Sequence, residues 1–190
     1  MKKLRSHNSK NKEQIARTIE ILFDAKNNVP EYIRQMLLER LLWATTENDN
    51  AGIYKKYNGQ PFWSIGALHK LLENISNKEK IFHDLRHEHA VPKKEIKKNI
   101  ENLKNKSAKS ILRVLNNLGY AVVVTREEDI ELNKKGFQTK MPKQIDLKSN
   151  IEIVFSRYIE TGIKVCLVGD INLKKIKADD ITKLEKETLT

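Results

Sequence analysis

The amino-acid sequence predicts an α+β fold, predominantly α-helical with a small β-sheet, on three observations. Apolar residues recur at helical spacing in several segments, among them Ile15, Ile19, Leu22 and Phe23, and again Ile111, Val114, Leu115 and Leu118. Two short apolar runs, at 120–124 and 164–168, have the length of buried strands. Residues that start and stop helices flank these segments, with Ser64, Ser107 and Thr125 as N-caps and Gly119 and Gly136 as stops.

Residues 1–12 are polar and basic and read as a flexible arm, 13–169 as a single principal domain, and 170–190 as a charged, weakly patterned tail. The first helix runs from 14 to about 26 and closes at Asn27-Asn28 and the pre-proline Val29. Pro30 or Glu31 opens a second, since proline suits a first turn. Its stripe of Ile33, Met36, Leu37, Leu41 and Ala44 is widened by Leu38, Leu42 and Trp43, which implies burial on more than one side. Asn58-Gly59 supplies the positive φ angles of a tight turn within the aromatic segment 54–63. Ser64 caps a third helix through Leu72, and 77–85 holds a shorter fourth. The segment 85–91 is extended, Pro92 ends it, and a strongly basic helix follows from about Lys93 to Leu103. Ser107 caps the next helix, Gly119 stops it, and the strand 120–124 follows. Thr125 with Glu128 forms a capping box for a helix ending near Gly136. A loop around Pro142, a helix at about 151–160 and the strand at 164–168 complete the ordered part.

Thirty-six basic residues against 25 acidic ones leave a formal charge of +11, which favours polyanionic partners. Lysine greatly outnumbers arginine and asparagine is plentiful, so part of that charge reflects composition bias. The one cysteine, Cys166, sits in an apolar run, which excludes an internal disulfide and a Cys-rich zinc site and fits a reducing cytoplasm. The basic N-terminus is followed by no apolar leader, and no apolar stretch reaches about 18 residues. The expectation is a cytoplasmic protein with no membrane partner. A Gly-rich phosphate loop, a Ser-His-Asp order and paired cysteines are all absent from the sequence.

Three of the five histidines, His83, His87 and His89, fall just before or within the run Leu85-Arg86-His87-Glu88-His89-Ala90-Val91-Pro92. Imidazoles beside an acid and an arginine are suited to binding a divalent metal or moving a proton near phosphate. The string Glu88-His89-Ala90-Val91-Pro92 resembles the first element of the HNH, or ββα-metal, nucleases. The resemblance covers about five residues. It implies His89 as general base on water, Glu88 as ligand to one divalent metal, Mg²⁺ or Mn²⁺, and metal-dependent cleavage of a phosphodiester. No histidine follows His89, so the closing ligand would be a carboxylate such as Glu95 or Glu101 or an amide such as Asn99 or Asn102, with Asn102 as the candidate metal ligand beside Glu88. A metal-free alternative uses Arg86, His87, Glu88 and His89 as phosphate clamp, acid and base, although strand alternation sets Arg86 with Glu88 and His87 with His89 on opposite faces. The plainest reading is a surface strand in which Glu88 pairs with Arg86 and one histidine is buried by a hydrogen bond.

Directly after this run Lys93, Lys94, Lys97, Lys98, Lys104 and Lys106 form either a phosphate-contacting face or a solvated helix interleaved with Glu95 and Glu101. Tyr54, Tyr57, Phe62 and Trp63 are a base-stacking platform or core anchors. The acids at 127–129 complement a helix dipole, or contact a protein partner. The function expected is therefore nucleic-acid binding, to DNA or RNA, with HNH-like endonuclease activity. The alternative is a binding, inhibitor or interaction protein without catalysis, and a prokaryotic defence or phage system suits either.

Overall fold

Strand β3 (Ala121–Thr125) is buried at all five residues, as its run of Ala and Val requires, and the sheet is built outward from it. The computed structural model describes residues 9–25, 28–47, 57, 59–74, 76–77, 83–169 and 173–189. Around β3 lie β1 (Phe62–Ser64), β2 (Leu85–His89) and β4 (Val165–Leu167), in the order β2-β3-β1-β4. β1 runs parallel to β3, while β2 pairs antiparallel with β3 and β4 antiparallel with β1. The fold is α+β and predominantly helical, with this small mixed sheet.

The helices are α1 (Ser9–Asp24), α2 (Glu31–Ala44), α3 (Ile65–Glu73), α4 (Lys93–Glu101), α5 (Ala108–Leu118), α6 (Arg126–Lys134), α7 (Ile151–Val154), α8 (Ser156–Thr161) and α9 (Ala178–Glu185). Strand alternation divides the core between them. Phe62, Val122, Val124 and Val165 join one apolar cluster with residues of α1, α2, α4, α5 and α8. Trp63, Val123, Cys166 and Leu85 join a second with α3 and α9. Phe62 and Trp63 are each 1% exposed, so of the two alternatives these residues take that of core anchors. Tyr57 is buried too, its hydroxyl donating to Leu85 O at 3.0 Å, whereas Tyr54 lies outside the described residues. Most of the expected turn at 54–59 and of the helix at 77–85 lies outside them as well.

Two expected boundaries move. The arm was expected through residue 12, yet α1 already begins at Ser9 and Lys12 is 2% exposed. Its ammonium donates to Leu115 O at 3.2 Å and Gly119 O at 2.8 Å, satisfying carbonyls at the end of α5. Burial lowers the Lys12 pKa to about 8. Likewise the segment 170–190, expected as a charged tail, carries Ile176, Ile181 and Leu184 into the second cluster, and Leu189 N donates to Val165 O at 2.7 Å. The apolar residues of this segment are spread singly among many charges, and the surface they cover comes from distant parts of the chain. The helix expected at 151–160 is broken at Phe155 into α7 and α8. Gly119 does stop α5, but with φ −83°. It is small because a Cβ there would stand 2.5 Å from Leu115 O.

The capping signals act as expected. Ser64 Oγ accepts from Ala67 N at 3.0 Å, and Thr125 with Glu128 closes a full capping box. Glu128 also accepts from Ser64 Oγ, so one carboxylate ties the starts of α3 and α6 across the parallel pair β1 and β3. The approach is close enough that a Cβ on Gly66 would meet Glu128 Oε1 at 2.6 Å. Replacing Glu128 by Ala removes the shared acceptor and is expected to cost about 1–3 kcal/mol. Urea unfolding should show this as a lower midpoint with an unchanged slope.

Candidate functional site

The pairing of β2 with β3 sets His87 opposite Val123 and Glu88 opposite Val122. Residues 85, 87 and 89 of β2 therefore share one face and residues 86 and 88 the other. Both histidines of that face are buried, His87 at 6% and His89 at 5% exposure. Trp43 of α2 stacks on His87 with centroids 5.9 Å apart and meets His89 edge-on at 4.9 Å. His89 Nε2 lies 3.2 Å from Leu42 O and 3.3 Å from Thr46 Oγ1, and His87 Nε2 lies 3.4 Å from Thr46 O. A carbonyl only accepts, so in each ring Nε2 carries the proton. The imidazoles fasten the C-terminal end of α2 to the sheet. Burial, reinforced by His87, lowers the His89 pKa to about 3.

On the opposite face Glu88 pairs with Arg157 of α8 at 3.1 Å, not with Arg86. The Arg86 guanidinium turns to the backbone and donates to His83 O at 2.9 Å and Leu85 O at 2.8 Å. Arg157 is 1% exposed and also donates to His89 O, to Phe137 O at 2.7 Å and to Tyr158 Oη at 3.2 Å. Burial holds the Glu88 carboxyl above its usual range, against the pull of Arg157. Asp129 of α6 lies in the same field. Burial raises its pKa while Arg86 and Arg157 oppose the rise. Of the acidic run 127–129, Glu128 is engaged internally and only Glu127 is exposed.

The predicted site residues are thus separated. His89 faces α2, Glu88 faces Arg157, and Asn102 caps the far end of α4, about 13 Å along that helix from Lys93 at a rise of about 1.5 Å per residue. Glu88, His89 and Asn102 do not fit around a shared divalent ion. His89 has neither the exposure nor the proton affinity of a general base on water. Among the described residues no group of three or more His, Cys, Asp or Glu is placed to hold a metal. The metal-free arrangement of Arg86, His87, Glu88 and His89 does not converge either, because the strand keeps its regular alternation.

The lysines fare differently. Ile96 and Ile100 bury one side of α4 completely, which turns Lys94 and Lys98 outward. Lys93 pairs with Glu39 at 3.0 Å and lies 4.4 Å from the Trp43 ring centroid, while Lys97 sits 3.8 Å from Glu101. Lys106 donates to Leu103 O and lies 5.5 Å from the Phe23 ring centroid. Lys94, Lys98 and Lys104 have no carboxylate within 4.0 Å among the described residues. Two depressions flank α4. One, of about 640 Å³, separates it from α2; the other, of about 390 Å³, is lined by Asn99, Asn102, Arg113 and Lys148 together with Asp146.

Comparison with protein-family models, with curated proteins and with solved structures gave no match. Among the described residues no helix is long and apolar enough to cross a membrane. Sequence reasoning missed Arg157, whose signal is a lone arginine inside the apolar run 153–159, and missed Trp43 and Thr46 as partners of the histidines.

The His89 environment fixes a pH dependence. The unfolded chain takes up a proton near pH 6.5 and the folded one near pH 3, so the unfolded state binds more protons between these values. Stability contributed by the neutral ring is complete above pH 6.5 and falls as pH drops towards 3, by at most about 1.4 kcal/mol per pH unit. Urea stability of the wild type should therefore fall more steeply on acidification below pH 6.5 than that of His89→Phe. Parallel acid limbs would place the ring in solvent.

Proposed function

We propose that this chain is a nucleic-acid-binding protein whose contact surface is the lysine ridge of α4 and the segment that follows it, with His87 and His89 serving the fold. The observation that carries this reading is the crest of Lys94, Lys98 and Lys104, exposed and without a carboxylate partner among the described residues, on a chain of net charge +11. Arg113 and Lys148 extend the positive surface on the α5 side of the ridge. At about 13 Å, α4 spans the phosphates of roughly four nucleotides of one strand. Endonuclease activity would require the imidazole of His89 to reach water and phosphate, and its packing under Trp43 gives that step no support.

The test is titration of the protein into labelled DNA and RNA at several salt concentrations. Binding should weaken steeply with salt, and Lys94→Glu combined with Lys98→Glu should lower the slope of log K against log salt by about 1.5–2. Because both side chains are exposed, the thermal midpoint of the double variant should stay within about 2–3 °C of the wild type. Binding that ignores salt, or a double variant that binds as the wild type does, would remove the ridge from the interface. Incubation of the same nucleic acids with Mg²⁺ or Mn²⁺ is expected to leave them intact. Metal-dependent cleavage lost in His89→Ala would restore the nuclease reading.

A further inference from the structure

Resting on that reading, we infer that the groove between α2 and α4 takes unpaired, single-stranded nucleic acid, with a base stacked on Tyr32. The α4 wall of this groove is basic, with Lys93, Lys94 and Lys97, and Pro92 at its base. Its α2 wall presents Gln35, Met36, Glu39 and Leu42, and Gln138 with Thr139 closes a third side. Cations beside an exposed methionine and several amide and hydroxyl groups match a strand whose phosphates and base faces are both accessible. A duplex offers its phosphates but keeps its base faces stacked, and so gains nothing from Met36 or an exposed ring.

Tyr32 adds the second observation. It is 73% exposed, and Met36, one turn on, is 55% exposed. Tyr32, Gln35, Met36 and Glu39 follow the i, i+3, i+4, i+7 spacing of one helix face. Three of the four line the groove, and Tyr32 continues their face one turn before Met36. An exposed tyrosine ring here is a stacking surface reached by a strand leaving the lysines. Glu39 stays ionised on this wall, and its charge is offset by Lys93 at 3.0 Å, which leaves Lys94 and Lys97 as the cations facing a phosphate.

Fluorescence anisotropy with labelled oligothymidylate, oligouridylate and a mixed-sequence duplex of the same length tests the inference on the full chain. Single strands are expected to bind at least about 10-fold tighter than the duplex. Tyr32→Ala should weaken single-strand binding by about 5- to 100-fold with an unchanged salt slope, because stacking releases no counterions. The exposure of Tyr32 makes this variant safe for folding, and Met36→Glu on the same face should act in the same direction. Equal or tighter duplex binding, with Tyr32→Ala silent and Lys94→Glu still harmful, overturns the inference and leaves the broader reading standing. No salt-sensitive binding to any of the three overturns both, and points instead to an acidic protein segment as occupant of the groove.

Discussion

Five consecutive residues of β2 pair with five of β3, and the pleat then leaves no freedom in where their side chains go. His87 and His89 must share a face, and Glu88 must leave from the other. With apolar clusters on both faces of the sheet, β2 cannot slip by one residue without taking both imidazoles away from Trp43 and Glu88 away from Arg157. The histidine-rich segment is held in register by the most buried element of the protein, and what the segment can do follows from that register.

The charges inside the molecule are tied to backbone. Arg157 spends its guanidinium on two carbonyls, a phenol and Glu88, and so joins α8, the chain at Phe137 and the edge strand β2. Lys12 makes a similar link between α1 and the end of α5. Removing one partner from a buried pair such as Arg157 and Glu88 typically costs about 3–5 kcal/mol, mostly because the other is left buried and uncompensated. By contrast the lysine crest of α4 contributes little to folding, since exposed charges and exposed ion pairs are worth about 0–1 kcal/mol each. Its placement is a consequence of Ile96 and Ile100 fixing the buried side of the helix. That division lets the surface charge of α4 vary with little effect on the core.

Much of this was legible in the sequence where the determining interactions are local. Ser64, Ser107 and Thr125 cap helices within three residues of themselves, and the stripe Ile111, Val114, Leu115, Leu118 defines its own buried face. The alternation that separates Glu88 from His89 is likewise a property of the strand itself. What could not be read was pairing over distance. Arg157 meets Glu88 across 69 positions, Lys12 meets Gly119 across 107, and Trp43 reaches His87 from a helix whose broad apolar face did not say which strand it would cover. Ile176, Ile181 and Leu184 gain their meaning from α3 and the sheet residues Trp63, Val123 and Cys166, with which they form one cluster. Charge composition misled in the same way near both ends, since Lys12 and the segment 173–189 are held by a few long-range contacts.

The histidine-rich segment is linked by contacts to the surface beside it. His87 and His89 anchor Trp43, the outer side of Trp43 is met by Lys93, and Lys93 reaches Glu39 across the groove between α4 and α2. The chain of contacts runs from the buried sheet through an aromatic ring to a cation at the groove wall. A cation held by both a ring and a carboxylate loses less freedom on binding than one free in solvent, which lowers the entropic cost of using that wall. Conserving the imidazoles' neutral, hydrogen-bonded state would then matter for the shape of the proposed binding surface without either ring touching what is bound.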